Sequence, residues 1–197
     1  TLLSPNLLLV DRRGKKIGAP AFRDAFFGPE FFKEDTARVD QILAGLAKQP
    51  AQEIDLQIVE DVRSFLFGPP GAGGLDLGSL NIQRGRDHGL PDYNSIRHAF
   101  GLPKITDWKQ INRDPAVHNA LRDVYGNLNN IDPWVGMLAE EHPVGSRAVG
   151  PLAAAVIADQ FERARTGDRY YWIRYQRLSD PRIRSILDVS RVSLRDI

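Results

Sequence analysis

The sequence predicts a mainly α-helical fold. Apolar residues recur at helical spacing in several segments, helix-starting and helix-ending residues bracket those segments, and strand patterns are weak throughout. Apolar residues make up 42% and charged residues 26% of the 197 residues, which is ordinary for a globular domain. The formal net charge of +1 gives no reason to expect a nucleic-acid partner, and no apolar run is as long as a membrane span. Because the chain has no cysteine, disulfides, zinc thiolates and iron–sulfur sites are excluded.

The first third of the chain predicts short elements followed by two helices. Residues 1–10 form an apolar run that we expect to be a buried strand or helix end. An aromatic patch then predicts packing between two short elements: Phe22, Phe26, Phe27, Phe31 and Phe32. Apolar residues at helical spacing predict amphipathic helices over residues 36–48 and 52–67, packed antiparallel.

The middle of the chain contains a loop and then a short helix. Residues 68–74 (GPPGAGG) predict a flexible connection, and they lack the Lys-Ser/Thr pair of a phosphate-binding loop. Pro91 fits the first turn of a helix over residues 91–100, which should end near Gly101 because Pro103 blocks its continuation.

The last half of the sequence is helical as well. Thr106 is a candidate N-cap, and Asp114 followed by Pro115 predicts the start of a helix that ends at Gly126. Apolar spacing predicts three more helices, at residues 134–138, 145–165 and 181–189.

The most informative segment covers residues 81–103, NIQRGRDHGLPDYNSIRHAFGLP. Asn94 and Arg97 lie three residues apart in the predicted helix, so both side chains should project from one face. An amide beside a guanidinium can bind a partner that carries a hydrogen-bond acceptor such as a carboxylate.

This segment resembles the signature of the animal-type haem peroxidases, the superfamily of myeloperoxidase, lactoperoxidase and peroxidasin. The similarity covers residues 80–91 (LNIQRGRDHGLP), then Tyr93-Asn94 and Arg97. Further family-like elements follow in the same order: NNIDPWVG at 129–136, VGPL at 149–152, QF at 160–161 and GDRYYW at 167–172. The resemblance implies that residues 1–197 are the C-terminal part of a single all-α haem peroxidase domain. The absence of cysteine and of Asn-x-Ser/Thr sequons favours a bacterial member.

The resemblance also implies the cofactor and its binding residues. Haem b is expected, its covalent attachment in the full domain being an open question, and any calcium should be bound only by upstream residues. Asn94 would accept a hydrogen bond from the proximal histidine, Arg97 would bind a haem propionate, and Leu90 would be an apolar wall. The iron-ligating histidine is expected immediately before Thr1, and the distal histidine and arginine farther upstream. His88 is interpreted as structural, so no catalytic residue or metal ligand is assigned within the chain.

The implied reaction is reduction of hydrogen peroxide with oxidation of a halide or organic donor, as in a response to oxidative stress. The isolated chain is expected to be inactive, since it would supply only the proximal haem side. Two alternatives remain open: a non-catalytic peroxidase-like scaffold or binding module, and a fatty-acid dioxygenase of the related branch. The resemblance favours a secreted or extracellular location and leaves the oligomeric state open.

Overall fold

The computed structural model describes residues 2–26, 28–33, 35–65, 67–68, 73–143, 148–171, 180–186 and 188–192. Thr1, Phe27, most of the glycine-rich connection, residues 145–147 of one predicted helix, Trp172 and residue 187 lie outside these ranges. The chain divides into two compact units, Thr1–Ala153 and Ala154–Ile197. The described residues are mainly helical, which confirms the predicted fold class.

The described elements follow one another along the chain with short connections. Two strands form an antiparallel pair, β1 (Leu9–Val10) and β2 (Lys16–Gly18). The α-helices are α1 (Phe22–Phe26), α2 (Glu30–Lys33), α3 (Ala37–Leu46), α4 (Glu60–Arg63), α5 (Leu77–Asp87), α6 (Tyr93–Ala99), α7 (Pro115–Tyr125), α8 (Pro133–Ala139), α9 (Pro151–Gly167) and α10 (Pro181–Arg184). Short 3-10 helices occupy Trp108–Gln110, Leu128–Asn130 and Val189–Arg191.

Helix α3 packs against the strand pair through a glycine. A Cβ on Gly45 would overlap the backbone carbonyl oxygen of Leu8, so only glycine permits this approach. Ile42 is buried one turn away, whereas Leu43 remains 60% exposed. The helix is therefore where the sequence predicts it, but its buried face is narrower than its apolar stripe.

The predicted helix over residues 52–67 is wrong for most of its length, because α4 is the only helix among the described residues of this range. The Asp55 carboxylate accepts a hydrogen bond from the backbone N–H of Gln57 at 2.8 Å. This local bond gives the backbone a turn in place of a helix, and the β-branched Ile54, Ile58 and Val59 add little helix propensity.

Helix α5 was missed by the sequence reasoning, since Gly78 and Gly85 lower its intrinsic propensity. Asp76 caps its start by accepting from the N–H of Ser79 at 3.0 Å. The Cδ1 atom of Ile58 lies 3.0 Å from the position of a Cβ on Gly78, so this glycine serves close packing.

The later boundaries shift by small amounts. Helix α6 begins at Tyr93 with Asp92 as its N-cap, so Pro91 precedes the helix and does not lie in its first turn. Asp107, rather than Thr106, caps the following 3-10 helix. Helix α7 starts and ends as predicted, with Gly126 at φ +65°.

Helices α9 and α10 also differ from their predicted extents. Helix α9 starts at Pro151, and of its apolar stripe Leu152 is buried while Phe161 is 71% exposed. Helix α10 ends at Arg184, earlier than predicted. None of the helices in the described ranges combines the length and the apolar character that crossing a membrane requires.

Candidate functional site

Helix α6 carries three inward-facing polar residues of the central motif. Tyr93 is fully buried, Asn94 is 3% exposed, and the side chain of Arg97 is 11% exposed. The backbone N–H of Tyr93 donates to the carbonyl oxygen of Ile131 at 2.9 Å, which ties the start of α6 to the segment before α8. These three side chains therefore lie in the core of the first unit rather than on a solvated helix face.

Asn94 holds the segment that follows α6. Its Oδ1 accepts from the N–H of Ile105 at 2.9 Å, and its Nδ2 donates to the Ile105 carbonyl at 3.0 Å and to Asn129 Oδ1 at 3.0 Å. The side-chain amide therefore pairs with the backbone of Ile105 much as a neighbouring strand would. A further bond from an imidazole would use the second lone pair of Oδ1.

Arg97 lies on the same side of α6, in agreement with the three-residue spacing. Its Nε donates to the Pro103 carbonyl at 2.9 Å, and its Nη1 donates to Tyr93 Oη at 3.2 Å and to Glu140 Oε1 at 2.5 Å. Within the described ranges, no hydrogen bond engages Nη2. One edge of the guanidinium is thus anchored, while the other nitrogen can still donate.

Glu140 is the residue that sequence reasoning missed. It is 4% exposed, and its carboxylate also accepts from Tyr93 Oη at 2.7 Å and from the N–H of Leu152 at 2.7 Å. Burial raises the pKa of the Tyr93 phenol, and the adjacent Glu140 carboxylate raises it further, so this hydroxyl stays protonated and donates. Because Glu140 and Glu141 precede a His-Pro pair, the local sequence resembles a solvated turn and gives no signal for a buried carboxylate.

A second polar cluster joins α5 to α8. Arg86 donates two bonds to Asp132, at 2.9 and 2.7 Å, and Tyr125 Oη donates to the same carboxylate at 2.9 Å. The Arg86 hydrogen bond lowers the pKa of Asp132, while burial raises the pKa of Tyr125 to about 12. This cluster ties Arg86 of α5 and Tyr125 of α7 to Asp132, the residue before α8.

The remaining predicted residues are more exposed. Leu90 is 51% exposed, which leaves an apolar surface at the end of α5. His88 is paired through Nδ1 with the Arg84 carbonyl oxygen at 2.8 Å, as a structural histidine at a helix end would be. Three open clefts in the first unit, of about 460, 500 and 510 Å³, are not lined by Asn94 or Arg97. In the described part of the chain, no group of three His, Asp or Glu side chains is arranged to hold a metal ion.

Comparison with known proteins identifies the family of the chain. The animal haem peroxidase family model matches residues 1–197, and the chain belongs to this family. It is 38% identical over 170 residues to peroxinectin A of Dictyostelium discoideum, an alignment covering 86% of this chain and 31% of that protein. It is 42% identical over 139 residues to human eosinophil peroxidase, covering 68% of this chain and 19% of that protein.

Solved structures agree with this assignment. Peroxidase A from Dictyostelium discoideum superposes with a TM-score of 0.81 at 35% identity, covering 94% of this chain and 34% of that one. A fatty acid alpha-dioxygenase from Arabidopsis thaliana reaches a TM-score of 0.74 at 22% identity, covering 86% of this chain and 29% of that one, and shares the fold. The chain spans about a third of the length of peroxinectin A and of peroxidase A.

Proposed function

We propose that this chain forms the proximal haem side of a peroxidase that reduces hydrogen peroxide and oxidises a halide or an organic donor. Family membership over all 197 residues supports the class of reaction. Within this chain, the observation that supports the proposal is Arg97 Nη2, a donor that no hydrogen bond among the described residues engages. The full reaction is assigned to a longer protein, since peroxinectin A and peroxidase A are each about three times as long as this chain.

Arg97 is suited to hold a haem propionate. A carboxylate binds arginine best when the guanidinium is already oriented, since less side-chain freedom is then lost on binding. Here Nε and Nη1 are held by Pro103 and Glu140, while Nη2 remains a donor on a side chain that is 11% exposed. The donor is therefore both fixed in direction and largely shielded from water.

The other two predicted residues would contribute differently. Leu90, at 51% exposure, offers an apolar contact to the edge of a flat macrocycle. Asn94 would accept a bond from the proximal imidazole through its remaining lone pair, while its existing bonds to Ile105 fix the amide. An acceptor that binds the ring N–H of a metal-ligating histidine fixes the orientation of its imidazole on the metal.

The remainder of the proposal follows the family. When bound, haem supplies the iron at which peroxide is reduced, and haem b is the form proposed here. The iron-ligating histidine, the distal histidine and arginine, and any calcium site are assigned to upstream parts of the full domain. A secreted or extracellular location is part of the same proposal.

The test is a haem titration of the full-length apoprotein, followed by absorbance, with and without Arg97→Gln. We expect one haem per protein and peroxide-dependent oxidation of a phenolic donor. Arg97→Gln should speed haem dissociation by about tenfold or more, because a charge-assisted hydrogen bond contributes about 1.5–3 kcal/mol.

Arg86→Gln is the matched control, since Arg86 is also paired with a carboxylate but points toward Asp132 and Tyr125. It should lower stability without changing the rate of haem loss. Failure of the full-length protein to bind haem would refute the proposed function. Equal haem loss from the two variants would remove the assignment to Arg97.

A further inference from the structure

The buried carboxylate of Glu140 gathers donors from two helices that are far apart in sequence. Its Oε1 accepts from Arg97 Nη1 at 2.5 Å and from Tyr93 Oη at 2.7 Å, both on α6. Its Oε2 accepts from the backbone N–H of Leu152 at 2.7 Å, in the first turn of α9. A glutamate this deeply buried is rare unless its charge is paired, and here an arginine provides the pair.

Close packing holds this carboxylate in place. A Cβ on Gly150 would lie 2.5 Å from Glu140 Oε2 and would overlap Glu140 Cβ, so the glycine lets the backbone pass against the side chain. Tyr93, which is fully buried, holds it as well through the hydrogen bond from its hydroxyl to Glu140 Oε1. The position of Glu140 is thus set by its surroundings before any ligand arrives.

We infer that Glu140 is a positioning residue for the proposed haem carboxylate site: it fixes the Arg97 guanidinium so that Nη2 is the nitrogen left to bind a propionate. This inference rests on the proposed function and names a residue that acts through Arg97 without touching the cofactor. The negative charge of Glu140 also balances the positive charge of Arg97, so a bound carboxylate would share the guanidinium with Glu140.

The chemistry of the side chain explains why a carboxylate is needed. Leu152 and Arg97 donate to different oxygens of Glu140, so both oxygens must be acceptors. A glutamine has one acceptor oxygen and one donor nitrogen, and in either orientation its NH₂ would face an N–H of one of these partners. Glu140→Gln therefore either releases the Arg97 guanidinium or leaves the N–H of Leu152 unpaired.

The experiment is a double-mutant cycle on haem dissociation from the full-length holoprotein, measured by transfer to excess apomyoglobin. The variants are Glu140→Gln, Arg97→Gln and the double variant. We expect Glu140→Gln alone to speed haem loss about tenfold. In the Arg97→Gln background the same change should have almost no further effect. Thermal unfolding of each apoprotein is measured in parallel, so that loss of stability is separated from loss of haem.

Glu141→Gln is the matched control, because this adjacent glutamate pairs with the exposed Arg113 side chain. It should leave haem dissociation unchanged. If Glu140→Gln does not fold, Glu140→Asp keeps the charge on a shorter arm and should give a smaller acceleration that also depends on Arg97.

The outcomes separate the two levels of the argument. An equal acceleration by Glu140→Gln with and without Arg97 would overturn the positioning role, while faster haem loss in Arg97→Gln alone would leave the proposed function standing. If Arg97→Gln itself leaves haem dissociation unchanged, both the positioning role and the assignment of Arg97 fail.

Discussion

Gly136→Ala should destabilise the protein although it places alanine in a helix. Gly136 lies on α8, where its missing side chain makes room for the buried ring of Tyr93. A Cβ at this position would overlap Cδ2 of the ring and lie 2.5 Å from Cγ and 2.9 Å from Cε2. Ordinary carbon contacts are about 3.5–4.0 Å, so the ring or the helix would have to move by about 1 Å.

The magnitude follows from two opposing effects. Replacing glycine by alanine inside a helix contributes about 1 kcal/mol of stability through propensity. Overpacking a rigid core typically costs about 1–3 kcal/mol, and this site lies at the upper end because the Tyr93 hydroxyl is held by Glu140 and Arg97. We expect a net loss of about 1–2 kcal/mol, or roughly 2–8 °C in the unfolding temperature of a chain of this size.

The assay is thermal unfolding followed by circular dichroism. Gly167→Ala is the control, since a Cβ there, at the end of α9, meets nothing within 4 Å. It should unfold at the wild-type temperature or slightly above it. An unchanged or higher unfolding temperature for Gly136→Ala would show that the Tyr93 ring is free to move, which would refute the reasoning.

Three further predictions concern residues around the same core. Asp132→Asn should cost about 1–2 kcal/mol at pH 7 by removing the charge that pairs with Arg86. Because the folded pKa of Asp132 lies below its unfolded value, this stabilisation is present above about pH 4 and is lost as the pH falls through the folded pKa. If the difference in free energy of unfolding between the wild type and Asp132→Asn, measured in urea, were the same at pH 3 as at pH 7, the assignment would be contradicted. Asn94→Ala should lower the free energy of unfolding by about 2–4 kcal/mol and speed hydrogen exchange of the Ile105 amide, because that amide loses its acceptor. Unchanged protection of the Ile105 amide would argue against the pairing. Gly126→Ala should cost about 1 kcal/mol in chemical denaturation, since alanine is strained at φ +65°, and no loss would show that the helix end can rearrange.

The sequence predicted features whose causes are local. Asp114 and Gly126 delimit α7 correctly, because capping and left-handed backbone depend on a few adjacent residues. The three-residue spacing of Asn94 and Arg97 also placed them on one side of α6. Their roles toward haem remain predictions, since those depend on groups that the family resemblance assigns to upstream residues.

The features that the sequence could not predict depend on distant contacts. Gly78 lowers the intrinsic helix propensity of its segment, yet it allows α5 to pack closely on Ile58. Glu140 pairs with Arg97 although the two residues are 43 positions apart in sequence, and the residues around each of them give no indication of this pair. Phe161 illustrates the opposite error, since an apolar residue at helical spacing does not reveal whether another element covers it.

The network around Tyr93 implies that fold stability and cofactor retention are coupled at α6. Tyr93 packs on Gly136 of α8 and donates to Glu140, which in turn holds Arg97. A change that displaces the Tyr93 ring should therefore disturb the guanidinium as well, so Gly136→Ala should speed haem loss from the full-length protein in addition to lowering its unfolding temperature. Gly126→Ala acts at the end of α7 and should lower stability without changing haem loss. If Gly136→Ala lowered the unfolding temperature without speeding haem loss, α6 would position Arg97 independently of its packing on α8. The role of Glu140 would then depend on its charge and not on the packing of Tyr93.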